Sequence, residues 1–134
     1  MSAEQRLTYV DSSAIVKLVV VEPESKALRR YLARRQPLVT SALARTEVAR
    51  ALLPSGAGVV ARGHDVLRRI QLLRVNDRVL TGAGQMEPAE LRSLDAIHLA
   101  SARQLGAAVE QLVTYDDRMA GAAEALGWSV VSPR

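Results

Sequence analysis

Four carboxylates stand where a fold could put them to chemical use. Asp11 closes the run Leu7-Thr8-Tyr9-Val10, which reads as a strand, and Ser12-Ser13-Ala14-Ile15 after it can open a helix. Asp116 repeats the arrangement: Leu112-Val113-Thr114-Tyr115 reads as a strand, and the acids Asp116-Asp117 lead into a helix-like run. Open parallel sheets bind ligands beyond the carboxyl ends of their strands. Glu47 lies in the helical stretch SALARTEVARA from Ser41, and Asp95 in the first turn of the helix within LRSLDAIHLA. Each acid alone has an ordinary explanation. Asp11 and Asp116 suit N-caps. Asp95 suits the positive end of its helix. Glu47 can pair with Arg45 or Arg50.

Together they point elsewhere. Glu47 is followed by Val48-Ala49 and Asp95 by Ala96-Ile97, so both face inward or toward a cleft. Two like charges about 4 Å apart repel by about 1 kcal/mol in water and about 4 kcal/mol at a protein-like dielectric. A fold that gathers several such groups needs a cation. With no Cys and only two His, the available ligands are hard oxygens, which select Mg²⁺ or Mn²⁺ over zinc or copper. Such a site serves phosphoryl chemistry. Neither GxxxxGK[ST] nor GxGxxG occurs, so the pattern points to hydrolysis of a phosphodiester by water and not to nucleotide use.

Other polar residues are candidates for lesser parts. His98 falls one turn after Asp95, where it binds substrate, hydrogen-bonds the acids or packs in the core. Thr114 can orient a carboxylate or fill the strand. Ser12 and Ser13 can reach the site or only cap. Asp117 is read as the cap of the last helix, and His64 as a surface residue. No His–acid pairing supports a Ser nucleophile.

The elements that must position these groups follow from pattern. Strands are expected at Leu7–Val10, Pro37–Thr40, Leu72–Val75, Leu112–Tyr115 and Ser129–Val131. Helices are expected over 13–19, 24–34, 41–53 with Ser41 as cap, 59–70, 76–80 stopped by Gly82 and Gly84, 93–105 and 117–126. Alternation of the two implies a parallel sheet with crossover helices. The 134 residues suit one domain spanning 1–134. Nearly half are apolar, with no Phe, so Leu, Val, Ile and Ala must build the core. The absence of Cys fits a reducing cytoplasm. No run approaches the roughly 20 apolar residues of a membrane span, and no signal peptide is visible. The net charge is +4 and all basic residues but Lys17 and Lys26 are Arg, which suits a polyanionic partner or a genome bias.

The segments Val10-Asp11-Ser12-Ser13-Ala14, Ser41–Ala51, Leu94-Asp95-Ala96-Ile97-His98-Leu99-Ala100 and Val113-Thr114-Tyr115-Asp116, in this order, resemble the motifs of PIN domains. The resemblance is to the toxin half of VapBC toxin–antitoxin pairs, and it covers nearly the whole chain. It implies a three-layer α/β/α sandwich with a parallel sheet. It implies a Mg²⁺- or Mn²⁺-dependent endoribonuclease acting on tRNA or rRNA, with Asp11, Glu47, Asp95 and Asp116 as the site. Asp11, Asp95 and Asp116 would hold the metal, and Glu47 would serve a second metal or the attacking water. It further implies a cognate VapB-type antitoxin, laid against Val19–Val21 and the first two helices, and a homodimer. Two rivals stand beside it. One is the same fold with catalysis lost, kept to bind RNA or a partner. The other is a haloacid dehalogenase-type phosphatase, against which Ser13 stands where that family has a second Asp.

Overall fold

A computed structural model describes residues 6–134. In chain order the elements are β1 (Leu7–Val10), α1 (Ser12–Val19), α2 (Ser25–Ala33), β2 (Leu38–Ser41), α3 (Ala44–Leu52), α4 (Ala57–Leu67) and β3 (Gln71–Leu73). There follow α5 (Asp77–Gly84), α6 (Ser93–Gln104), β4 (Val109–Val113), α7 (Asp117–Ala125) and β5 (Val130–Val131). The five strands pair in the order β3-β2-β1-β4-β5, and every pairing is parallel.

Strand alternation divides the core into two layers. Leu7, Tyr9, Val39 and Leu112 turn to one face, where Val79 of α5, Leu99 of α6 and Met119 of α7 cover them. Val10, Leu38 and Val113 turn to the other, against Ile15 of α1, Leu28 of α2, Val48 of α3 and Leu67 of α4. The result is a three-layer α/β/α sandwich. β1 is central and buried along its whole length, which is why it contains no charge until Asp11. Burial of a side chain such as Ile15 or Leu112, both fully enclosed, contributes about 1.5–3 kcal/mol.

Parallel pairing sends the carboxyl ends of all strands to one edge. There the chain leaves β1 toward β2 on one side while β4 lies on the other, so a crevice opens beyond β1 and β4. The Asp11 N–H donates to the Val113 carbonyl at 3.1 Å, carrying the β1–β4 ladder up to the first acid.

Three local expectations need correction. Ser41 is the last residue of β2 and not a helix cap; α3 starts at Ala44, and the Ser41 hydroxyl accepts from Leu43 N at 3.1 Å in the connecting turn. Gly82 lies inside α5 and does not stop it; the helix runs from the N-cap Asn76 to its last residue, Gly84. Packing of α5 on α6 outweighs glycine's poor helix propensity there. The fourth strand begins at Val109 and ends at Val113, ahead of the expected span, because Glu110 and Gln111 hide its start.

A Cβ built at Gly82 would lie 3.9 Å from Ala100 Cβ, an ordinary contact, whereas one at Gly63 of α4 would lie 2.6 Å from Leu52 Cδ1 and 3.5 Å from Val48 Cγ1. Gly82→Ala should therefore stabilise the protein by about 0.5–1 kcal/mol. Gly63→Val should destabilise it by about 1–3 kcal/mol through overpacking. Urea unfolding of both variants measures the pair of opposite signs.

Candidate active site

Asp11 is buried at the mouth of the crevice. Its Oδ1 accepts from the Ala14 amide at 3.1 Å, capping α1, and from Ser13 Oγ at 2.6 Å. Its Oδ2 accepts from Thr114 Oγ1 at 2.5 Å. The two hydroxyls also reach across to the β4 end. Ser13 Oγ accepts from the Tyr115 amide and Thr114 Oγ1 from the Asp116 amide, each at 3.0 Å. Two small side chains thereby fasten the end of β1 to the end of β4 through the carboxylate. Burial nevertheless raises the Asp11 pKa, against the lowering effect of these donors.

Asp116 is the N-cap of α7, with Oδ1 accepting from Arg118 N at 2.9 Å and Met119 N at 3.2 Å. The expectation that Asp117 caps this helix is overturned; Asp117 is its first residue. The cap geometry needs an extended residue whose side chain reaches back over the first turn, and Asp116 has that backbone.

Glu47 faces the same crevice from α3. Its Oε1 accepts from Ser12 Oγ at 2.7 Å and meets His98 Nε2 at 2.6 Å. The partner of Glu47 is thus a histidine of another helix, not Arg45 or Arg50. Burial pushes its pKa up, but the His98 contact and the Ser12 hydrogen bond pull it below the usual value, so Glu47 is ionised at neutral pH. His98 is held in turn. Its Nδ1 meets the Tyr9 hydroxyl at 2.7 Å, and that hydroxyl accepts from the Ser41 amide at 3.1 Å. With Nε2–H donating to Glu47, Nδ1 accepts from Tyr9, and both ring nitrogens are satisfied. Burial raises the Tyr9 pKa and keeps the phenol protonated, as this assignment requires. The nearby Thr40 hydroxyl is buried with no hydrogen-bond partner among the described residues.

Asp95, half-buried in the first turn of α6, completes the set. Its pKa is raised by burial first, then by the negative charges of Asp116, Asp11 and Glu47, with His98 acting in the opposite sense. One carboxylate thus feels the other three. Among the described residues, however, no three acidic or histidine side chains are drawn together closely enough to share an ion as they stand. The donor set fits a hard divalent cation. All four groups are carboxylates, one of them under the repulsion of the other three, and their known hydrogen bonds leave oxygen lone pairs unused on each.

Sequence reasoning named the acids, His98, Thr114, Ser12 and Ser13. It missed Tyr9, taken only as a strand former. The available signal was a tyrosine in a buried central strand, whose hydroxyl must find a partner when buried.

Removing either member of the His98–Tyr9 pair strands a buried polar group. His98→Ala and Tyr9→Phe should each cost about 1–3 kcal/mol in urea unfolding, and each should lower turnover roughly 10–100-fold through a loosened Glu47. A second test concerns pH. Asp11 and Asp95 hold protons in the native state to higher pH than in the unfolded chain, so the protein loses stability as pH rises above their ordinary value of 3.8. Glu47 acts oppositely, but only below its ordinary 4.5. Thermal stability should therefore fall from about pH 4.5 toward neutrality, and Asp95→Asn should flatten that decline, by less than about 1 kcal/mol because the group is half exposed.

Comparison with known proteins agrees with this geometry. Residues 8–125 match the PIN domain family. The chain is 58% identical over 125 residues to Ribonuclease VapC46 of Mycobacterium tuberculosis, covering 93% of this chain and 96% of that one. It is 41% identical over 134 residues to Ribonuclease VapC35 of the same species, covering 95% and 97%. Among solved structures, M. tuberculosis VapC20, a sarcin-ricin loop cleaving toxin, superposes with TM-score 0.76 at 18% identity, over 94% of this chain and 99% of that one. A chain of a toxin–antitoxin complex from Klebsiella pneumoniae gives TM-score 0.71 at 19% identity, over 95% and 98%. The parallel sandwich, the acids at its carboxyl edge and these likenesses place the chain in the PIN-domain family, among its VapC ribonuclease toxins.

Proposed function

We propose that this single-domain protein is a Mg²⁺- or Mn²⁺-dependent endoribonuclease that cuts tRNA or rRNA and is silenced by a cognate VapB-type antitoxin. The observation that carries the reading is the joining of three acids at one sheet edge: the Thr114 hydroxyl donates to Asp11 and accepts from the Asp116 amide, and Glu47 reaches the same edge through Ser12. Asp11, Asp95 and Asp116 would hold the metal. When bound, the ion offsets charge developing on the phosphate oxygens and makes water more acidic.

The chain's own residues supply the rest. Glu47 is ionised, and Ser12 and His98 occupy its Oε1. Its Oε2 is then the oxygen that takes a proton from the attacking water. Water attacks in line with the departing 3′ oxygen and leaves a 3′-hydroxyl and a 5′-phosphate. Ser13 and Thr114 keep Asp11 from turning away during the reaction, since each donates to one of its oxygens. RNA must approach four carboxylates, so cations have to draw it in. Arg30, Arg34, Arg35 and Arg134 line one cleft beside Tyr31. Arg134 also stacks over the ring of Tyr115, next to Asp116. These arginines suit the RNA backbone.

A second cleft suits the antitoxin. It has a volume of about 380 Å³ and apolar walls from Leu18, Leu32, Val66 and Ile70 of α1, α2, α4 and the turn before β3, with Arg29 and Arg69 also lining it. Val21, beside α1, is 82% exposed and extends the apolar surface. The homodimer and the cytoplasmic setting belong to the same proposal. Among the described residues no helix is long and apolar enough to cross a membrane.

The purified protein should cleave RNA with Mn²⁺ and stop doing so when the ion is chelated. Asp11→Asn should lower cleavage by at least about 100-fold, the scale on which electrostatic groups in active sites act. Mapping new RNA 5′ ends in cells expressing each form identifies the target. Equal cleavage by both forms would remove Asp11 from the site.

A further inference from the structure

The residues just before Asp95 and just after Asp116 line a cleft that the mechanism above leaves unused. It lies between the start of α6 and the outer side of α7, with a volume of about 530 Å³. That is within the range of small-ligand sites, about 300–1,000 Å³. Leu91, Ala122 and Ala125 supply apolar wall, while Arg92 and Arg118 bring positive charge. A Cβ at Gly121, also in the lining, would meet nothing within 4 Å, so this wall is open.

The cleft adjoins the acids. Arg92 is the N-cap residue of α6, one turn before Asp95, and the Arg118 amide is held by the Asp116 carboxylate at 2.9 Å. Both arginine side chains are exposed, and no described acid lies within ion-pair distance of either. Glu90 is the acid in the lining and leaves the cleft net positive.

From this placement we infer that the cleft is a nucleotide subsite: it holds the nucleoside next to the cut phosphate, with the base on the Leu91–Ala122–Ala125 wall and the adjoining phosphate between Arg92 and Arg118. The inference rests on the ribonuclease reading given above. Guanidinium groups grip phosphate oxygens in pairs. Bases of single-stranded RNA splay out and stack on guanidinium planes, and the apolar wall lies beside two of these. An acidic peptide would use the arginines but has no need of the apolar wall beside them.

Nitrogen-15-labelled protein titrated with the four ribonucleoside 5′-monophosphates should show shifts at the Leu91, Gly121 and Ala122 amides. Gly121→Leu, which fills the opening, should abolish them, and Gly121→Ala should keep them. In Mn²⁺-dependent cleavage of a random-sequence single-stranded RNA, Arg92→Ala/Arg118→Ala should raise KM at least tenfold with kcat within threefold. Melting curves check that each variant folds. Shifts confined to other surfaces, or unchanged KM in both Gly121→Leu and the double arginine variant, overturn the subsite. A wild-type protein that cleaves no RNA sinks the ribonuclease reading instead, and the amide shifts alone then decide the cleft.

Discussion

Repulsion among carboxylates at the carboxyl edge is the constraint under which the rest of this structure is built. A central strand with no charged residue on either face delivers Asp11 to that edge, and β4 delivers Asp116 beside it. Left alone, such groups would turn toward solvent and apart. The fold prevents this by giving three of them a fixed hydrogen-bond partner. Asp11 and Asp116 each cap a helix, and Glu47 is held by a serine and a histidine. Capping therefore does not exhaust these acids. At Asp116 the cap takes Oδ1 alone, whereas Asp11 gives Oδ1 to Ala14 and Ser13 and Oδ2 to Thr114. Asp95 has no such partner among the described residues, and its pKa is raised by burial first and then by the charge of Asp116.

Stability and activity pull against each other here. A net stack of negative charge costs folding free energy wherever no cation offsets it, and native proteins accept such costs at working sites. The compensation is visible around the site. Ser13 and Thr114 join two strand ends, while α1, α3, α6 and α7 each bring one end or face to the crevice. The apolar layers behind them are closely filled, so the acids cannot relax by moving backbone.

Much of this was legible in the residues. The strand formers of Leu7–Val10 and the alternation of strands with helices pointed to the parallel sheet, and the family resemblance to its layers. The order of the acids pointed to one edge, because a parallel sheet sends every strand end there. What stayed hidden depended on contacts between distant segments. Gly82 reads as a helix stop until α6 is seen to pack on it. Asp116 and Asp117 are equivalent on paper, and only the extended backbone at Asp116 chooses the cap. The β4 start was masked by Glu110 and Gln111, which are polar because that part of the strand reaches the surface.

The string from Ser41 through Tyr9 and His98 to Glu47 shows how such hidden contacts can still be reasoned toward. It crosses the sheet from β2 to α3, joining residues 51 apart at its last step and 89 apart at the one before. No local pattern records that distance. Yet a sequence without phenylalanine that places tyrosine at the centre of its first strand has passed over equally bulky apolar choices. A buried phenol demands a partner, and a buried histidine one turn past an acid demands two. Each residue answers the other's need, and the proton left over faces Glu47. The pairing makes the orientation of Glu47 a property of the core itself, so anything that loosens the α6 side of the sheet also loosens Glu47.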